Sequence, residues 1–342
     1  MLLYNKLCAA LNENEIDELG LLPLIPEINE IPIKNQKYYP LIVVESKLGI
    51  AISSSKILLK QSHEYFISLD DSNDKEIEQV TRIMILLKPD NYTAMNRRKR
   101  LIISGYIDIK RELRLIELIF TIPRHAKSSF AWSHRQWILT NYYKTIDITH
   151  ELKLCQTTSI LYPRNYYAWT FRYWILSTFC DQTRIEQEYQ EMLKWIELNI
   201  SDFSGLQYLQ QIMTLAPTEL NSIQQHMEWL DQLIIKYPGH ESLWCHRRFC
   251  TAILTEKSVE HCKAQHRFVY SILHDQFNSQ SLSNNPNDLV MQKEFALRFG
   301  LWQTLLEKKH YSRPIIEDAL IIKLYSTVAP VPEFIIDRQE TL

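Results

Sequence analysis

Lys127, Arg164 and the trio Asn165-Tyr166-Tyr167 are the residues of this chain whose types could meet a phosphate group. They comprise two cations, an amide and two phenols, each just ahead of or opening an apolar helical stretch. A helix N-terminus offers free amide donors and positive potential, so an anion placed there is stabilised. The plainer account is a set of solvated turn residues, and spacing leaves both open. Metal chemistry has less behind it. Cys245-His246 with Cys250, and His261-Cys262 with His266, supply ligand types without a paired C-x-x-C spacing, so no metal site is expected on this chain. G-x-S-x-G, H-E-x-x-H and P-loop patterns are absent.

Bulk properties narrow the class. Six glycines in 342 residues are too few for the phosphate loops and tight hairpins of nucleotide-binding or β-rich folds. Eight tryptophans and eighteen tyrosines in a 46% hydrophobic composition describe a packed globular protein. A net charge of −2 gives no sign of a nucleic-acid partner. The one dense basic run, Arg97-Arg98-Lys99-Arg100, lies inside an expected helix. No apolar run reaches the roughly 20 residues of a membrane span. Cys8, Cys155, Cys180, Cys245, Cys250 and Cys262 are scattered through apolar helical contexts, so reduced thiols and a cytoplasmic setting are expected.

The elements that position these residues follow from a repeat. Pro163-Arg164-Asn165-Tyr166-Tyr167-Ala168-Trp169-Thr170-Phe171-Arg172 has an earlier counterpart in Lys127-Ser128-Ser129-Phe130-Ala131-Trp132-Ser133-His134-Arg135. Before it stands Asn91-Tyr92-Thr93-Ala94-Met95 followed by Arg98; after it come a decayed copy at Leu206 and a clear one at Trp244-Cys245-His246-Arg247. The tryptophan slot thus falls at 95, 132, 169, 206 and 244, a step of 37 residues and finally 38. A fixed period in this range marks a solenoid of stacked two-helix units.

Apolar periodicity and proline breaks place the pairs. Expected helices run from about 72 to 87 and 92 to 104, 109 to 120 and 129 to 142, 148 to 161 and 166 to 179, 184 to 198 and 205 to 215, 220 to 236 and 242 to 254, then 259 to 277 and 288 to 306. Residues 1–70 form an N-terminal capping segment, 71–312 the repeats, and 313–342 a C-terminal helix (Ile315 to Tyr325) and tail. Within the cap, Leu41 to Val44 and Ile57 to Leu69 could be strands or buried helix. Asn91 and Asn165 suit helix N-caps, Trp132, Trp169 and Trp244 can fill the gaps between hairpins, and Arg98, Arg135, Arg172 and Arg247 can bond carbonyls or acidic neighbours. A signature that recurs this way is structural, because an active site is normally needed once.

The Asn-Tyr-x-x-Trp-x-x-Arg pattern on hairpins of this period resembles the alpha subunits of protein prenyltransferases, over Pro89 to Phe249. Lys127-Ser128-Ser129, Ser204-Gly205-Leu206-Gln207-Tyr208 and Pro238-Gly239-His240 make the chain most similar to the branch called prenyltransferase alpha-subunit-repeat-containing proteins. The resemblance implies an all-α, right-handed α–α superhelix, a tetratricopeptide-like crescent wrapped around a separate beta subunit. That subunit would hold the zinc and the geranylgeranyl diphosphate, leaving no cofactor on this chain. Lys127 stands in the slot of a lysine near the diphosphate, with Arg164, Asn165, Tyr166 and Tyr167 beside the same group. Ser129 and Tyr167 depart from the tyrosine and histidine of related subunits.

The implied activity is that of the alpha, non-zinc subunit of a heterodimeric protein geranylgeranyltransferase, with a Rab-type beta subunit. It would modify a C-terminal cysteine of a SNARE or Rab-like protein. The competing expectations are a non-catalytic helical-repeat adaptor and a diverged farnesyltransferase or type I geranylgeranyltransferase alpha subunit.

Overall fold

The computed structural model describes residues 2–142, 147–215, 220–255, 259–277, 280–283 and 285–312, so the expected helix at 315–325 and the tail lie outside the described residues. The chain divides into two compact units, Met1–Cys180 and Asp181–Leu342.

The first unit opens with α1 (Leu2–Glu13), followed by strands β1 (Glu18–Leu22), β2 (Ile42–Val44) and β3 (Lys47–Ala51), and then α2 (Ile52–Ser68). The strands form one small sheet in the order β1-β3-β2, parallel between β1 and β3 and antiparallel between β2 and β3. The two segments left open by their β-branched content therefore divide: the first is strand, the second helix. Helix α2 lies along the first repeat helix, and the Leu19 amide donates to Thr121 Oγ1 at 2.9 Å, tying the sheet to the second hairpin.

Three hairpins complete this unit: α3 (Asp74–Leu87) with α4 (Tyr92–Ile103), α5 (Ile109–Phe120) with α6 (Ser129–Tyr142), and α7 (Ile148–Leu161) with α8 (Tyr166–Phe179). Most boundaries fall where periodicity and prolines put them. The second helices α4, α6 and α8 pack in a row. In the second unit the pairs are α9 (Gln182–Leu198) with α10 (Phe203–Leu215), α11 (Leu220–Lys236) with α12 (Glu241–Thr255), and α13 (Val259–Leu273) with α14 (Pro286–Tyr311). Here α10, α12 and α14 form the corresponding row. The repeats are thus all-α helical hairpins, and the small sheet is confined to the N-terminal segment.

Three of the first helices, α5, α7 and α9, start on acidic caps. Asp108, Asp147 and Asp181 each accept the amide three residues on, from Arg111, His150 and Arg184, which stabilises each helix start by about 0.5–2 kcal/mol. The slot residues form the core between hairpins: Met95, Trp132, Trp169 and Trp244 are each 3% exposed and Leu206 is 2% exposed. Trp132 stacks on Phe120 at 4.0 Å between ring centroids and meets Phe171 of the next hairpin at 5.1 Å. The decayed copy has its own fit. Gly205 sits where its neighbours in register have Ala131 and Ala168, and a Cβ there would lie 2.5 Å from the Trp195 ring.

Between α11 and α12 the chain turns through Gly239 at φ +83°, and a Cβ at that position would stand 3.1 Å from the Asp288 backbone. Gly239→Ala is therefore expected to destabilise the protein by about 1–2 kcal/mol from backbone conformation alone. Urea denaturation followed by circular dichroism checks this; an unchanged midpoint would contradict the described turn.

Candidate functional site

The second helices of the first unit begin at similar mouths, each built on a side-chain cap. Asn91 Oδ1 accepts the Ala94 amide at 3.0 Å. Ser128 Oγ accepts the Ala131 amide at 3.2 Å and donates to Asp90 Oδ1 of the preceding hairpin at 2.5 Å. Asn165 Oδ1 accepts the Ala168 amide at 3.3 Å, while its Nδ2 donates to the Ala126 carbonyl at 2.9 Å. The Trp132 indole donates to that same carbonyl at 2.8 Å. One backbone oxygen in the turn His125–Lys127 thus joins the tryptophan of one repeat to the asparagine of the next. Asn165 is wholly buried, its amide directed at these two backbone partners.

Around this framework lie the sequence-derived candidates. Lys127 is exposed and donates from Nζ to the Pro163 carbonyl at 2.8 Å, which sets it against the mouth of α8. Arg164 is exposed in the left-handed backbone region at φ +60°. Tyr166 and Tyr167 are exposed and meet edge to face at 5.5 Å. Burial pushes His125, two residues before Lys127, down to about 4, so its ring is neutral near pH 7. The structure therefore gathers Lys127, Arg164, Tyr166 and Tyr167 at one mouth and uses Asn165 to hold that mouth in shape.

Spacing alone does not single out the exposed aromatic row. Tyr92 is 64% exposed and meets Phe130 edge to face at 6.0 Å, and Tyr166 is 49% exposed at the equivalent position of α8. In the second unit Phe203 is 47% exposed at the start of α10. Tyr92, Tyr166 and Phe203 share the 37-residue register, with Phe130 one residue off it. The signal in the sequence is an aromatic at the first or second helical position, which the repeat motif absorbs. Exposed aromatics beside a cation suit contact with another protein.

Three of the recurring arginines, Arg98, Arg135 and Arg247, hold one hairpin to the next. Arg98 binds Glu112 of the following hairpin through Nε and Nη2, at 2.9 and 2.5 Å, and donates to the Glu78 carbonyl of its own hairpin at 2.9 Å. Arg135 repeats this with Glu151 at 2.6 Å and the Leu113 carbonyl at 3.1 Å, and Arg172 donates to the Leu152 carbonyl. Arg247 bonds Asp231 and Gln265 beneath the Trp244, Phe268 and Phe299 rings. Where the decayed copy has Leu209, the Tyr208 hydroxyl reaches Glu188 instead, at 2.8 Å. Each full staple spans two hairpins. Arg98 is also the second residue of the basic run, and its burial, with Arg97 paired to Asp71, breaks that run as a surface patch.

In the second unit His246 and Cys250 lie one helical turn apart on α12, and His226 of α11 faces them. Cys245 is exposed and apart from this group, and His266 pairs with Glu307 at 2.9 Å. Among the described residues no helix is long and apolar enough to cross a membrane.

The protein prenyltransferase alpha subunit repeat matches residues 109–142, 148–179 and 223–254, which are α5 with α6, α7 with α8, and α11 with α12. Relatives are similar over most of the chain. Protein prenyltransferase alpha subunit repeat-containing protein 1 of Danio rerio is 25% identical, over 82% of this chain and 75% of its own length. The Homo sapiens protein of the same name is 28% identical, over 68% and 72%. Protein prenyltransferase alpha subunit repeat-containing protein 1-B of Xenopus laevis is 27% identical, over 68% and 67%.

Proposed function

We propose, starting from a chain that belongs to the protein prenyltransferase alpha-subunit repeat family, that it is the alpha, non-zinc subunit of a heterodimeric protein geranylgeranyltransferase. The observation that carries this reading is the division of labour at the second-helix mouths. Caps, indoles and arginines are committed to holding the hairpins, whereas Tyr92, Phe130, Tyr166 and Lys127 face outward.

The companion is a beta subunit of the Rab type, which binds zinc and geranylgeranyl diphosphate and activates the acceptor's C-terminal cysteine as a thiolate. This chain supplies the aromatic row as the companion's docking surface. Lys127 supplies positive charge where the diphosphate leaves, with Arg164 and the Tyr166–Tyr167 pair beside it. The lysine is exposed, so its charge gains strength only once the companion excludes water from the mouth. The acceptor is a SNARE or Rab-like protein. The scatter of six cysteines through apolar helical stretches supports a reducing, cytoplasmic setting.

Co-expression with candidate beta subunits, followed by transfer of labelled isoprenoid, tests the proposal. The isolated chain is expected to transfer nothing, and the complex to transfer geranylgeranyl. Replacing Tyr92, Phe130 and Tyr166 together by alanine is expected to weaken assembly by about 10²-fold or more, the loss typical of a few interface anchors. Lys127→Ala should leave assembly intact and lower the turnover rate by up to about 10²-fold. Unchanged turnover would remove the electrostatic role and leave the scaffold. Failure to assemble with any beta subunit would favour a non-catalytic adaptor.

A further inference from the structure

The interior of the second unit holds a cluster that the proposed transferase role does not use. The Nε2 atoms of His226 and His246 stand 2.7 Å apart, and Cys250 Sγ lies 3.8 Å from His246 Nε2. All three side chains are buried, with every ligand atom within 4.8 Å of the others. The outer ring nitrogens are held: His226 Nδ1 by the Tyr189 hydroxyl at 2.8 Å, and His246 Nδ1 by the Gln210 amide at 3.2 Å. Burial pushes His226 down to about 4 and His246 well below its ordinary value, so both rings are neutral near pH 7.

We propose that His226, His246 and Cys250 form a binding site for a borderline-soft divalent cation, zinc above all, that clamps α11 to α12. Two imidazoles and a thiol form a nitrogen–sulfur set that selects zinc over calcium or magnesium. The Tyr189 contact is of the type that orients a ligating histidine. His226 needs no rearrangement of its proton, because with Nδ1–H donating to the Tyr189 oxygen its Nε2 lone pair points into the cluster. His246 must move its proton from Nε2 to Nδ1, through solvent, while the Gln210 amide turns to present its oxygen.

The Cys250 thiol loses its proton to solvent as the metal–sulfur bond forms, so one proton is released in all. Zinc-bound nitrogens at 2.0–2.1 Å from a tetrahedral centre stand about 3.3 Å apart. The two rings therefore separate by roughly 0.6 Å on binding. Water completes the fourth position.

The test uses the full chain without a beta subunit, so that any metal found is its own. Elemental analysis after gel filtration in zinc is expected to give one equivalent. Cobalt(II) in place of zinc should give a sulfur-to-cobalt charge-transfer band. Cys250→Ser should abolish the band, whereas Cys245→Ser should keep it. Tyr189→Phe, which leaves all three donors in place, should weaken zinc binding by about 10–100-fold. Folded wild-type chain that retains less than one equivalent of zinc and shows no band would overturn the site, leaving a hydrogen-bonded histidine pair. So would a band that persists in Cys250→Ser. Where Cys250→Ser fails to fold, the wild-type spectrum and Tyr189→Phe still decide. None of these readouts depends on transferase activity.

Discussion

Glu112→Ala is expected to destabilise the protein by about 3 kcal/mol, the low end for a broken buried ion pair, because the buried Arg98 guanidinium then keeps Glu78, 3.5 Å away, as its counter-ion. Arg98 is 1% exposed and Glu112 wholly buried, and the carboxylate also receives His134 Nε2 at 2.9 Å. Burial by itself would raise the Glu112 pKa. The Arg98 charge, with the hydrogen bonds from His134 and Arg98, outweighs it and holds this carboxyl well below the usual carboxylate range.

The sign of the pH effect follows. The folded pKa lies below the unfolded value of about 4.3, so the stabilisation is complete above that value. It is lost as pH falls from there toward the folded pKa. Urea midpoints measured from pH 7 down to pH 3 should fall for the wild type and fall less steeply for Glu112→Gln. A loss under about 1 kcal/mol for Glu112→Ala at pH 7 would mean the pair is exchangeable for solvent.

Trp132→Ala should cost a comparable amount, about 3–5 kcal/mol, the range for emptying a buried aromatic site. The indole lies between Phe120 and Phe171, so its loss opens a cavity between two hairpins rather than within one. It also removes one of the two donors on the Ala126 carbonyl, leaving Asn165 as the remaining link. Denaturation followed by far-ultraviolet circular dichroism gives the stability change. On the proposed function, the same variant in complex with a beta subunit should also lower turnover, through the loosened mouth that carries Lys127. Trp132→Phe, which keeps most of the volume, should lose less than half as much stability.

What can be read from the residues is whatever the repeat makes periodic. The 37-residue beat places the hairpins and the buried slot, and prolines with their capping residues place the boundaries. The arginines' partners are less visible. Glu112 and Glu151 stand 14 and 16 residues beyond Arg98 and Arg135, on a helix of the next repeat, and look like ordinary surface acids in a one-dimensional reading. The three strands of the N-terminal segment are five, three and five residues long, too short for alternation to separate them from buried helix. His246 and Cys250 stand on one helix in any reading of the spacing, but the residue that completes their cluster, His226, sits 20 positions away on its partner. Lys127 and the mouth of α8 come together because the period places position 127 of one repeat beside 164 of the next.

The arginine staples bear on how this chain could change its length. Arg135 is 1% exposed, and the carboxylate that it bonds twice, Glu151, comes from the hairpin that follows. Without that hairpin the guanidinium would keep the half-buried Glu117 of its own hairpin, 2.9 Å away, and lose the buried partner. Sliding α7 by a single turn, about 5.4 Å, would carry Glu151 out of reach of it. Neighbouring hairpins are thus held in register by charge as well as by shape, and each staple resists slippage of one hairpin past the next.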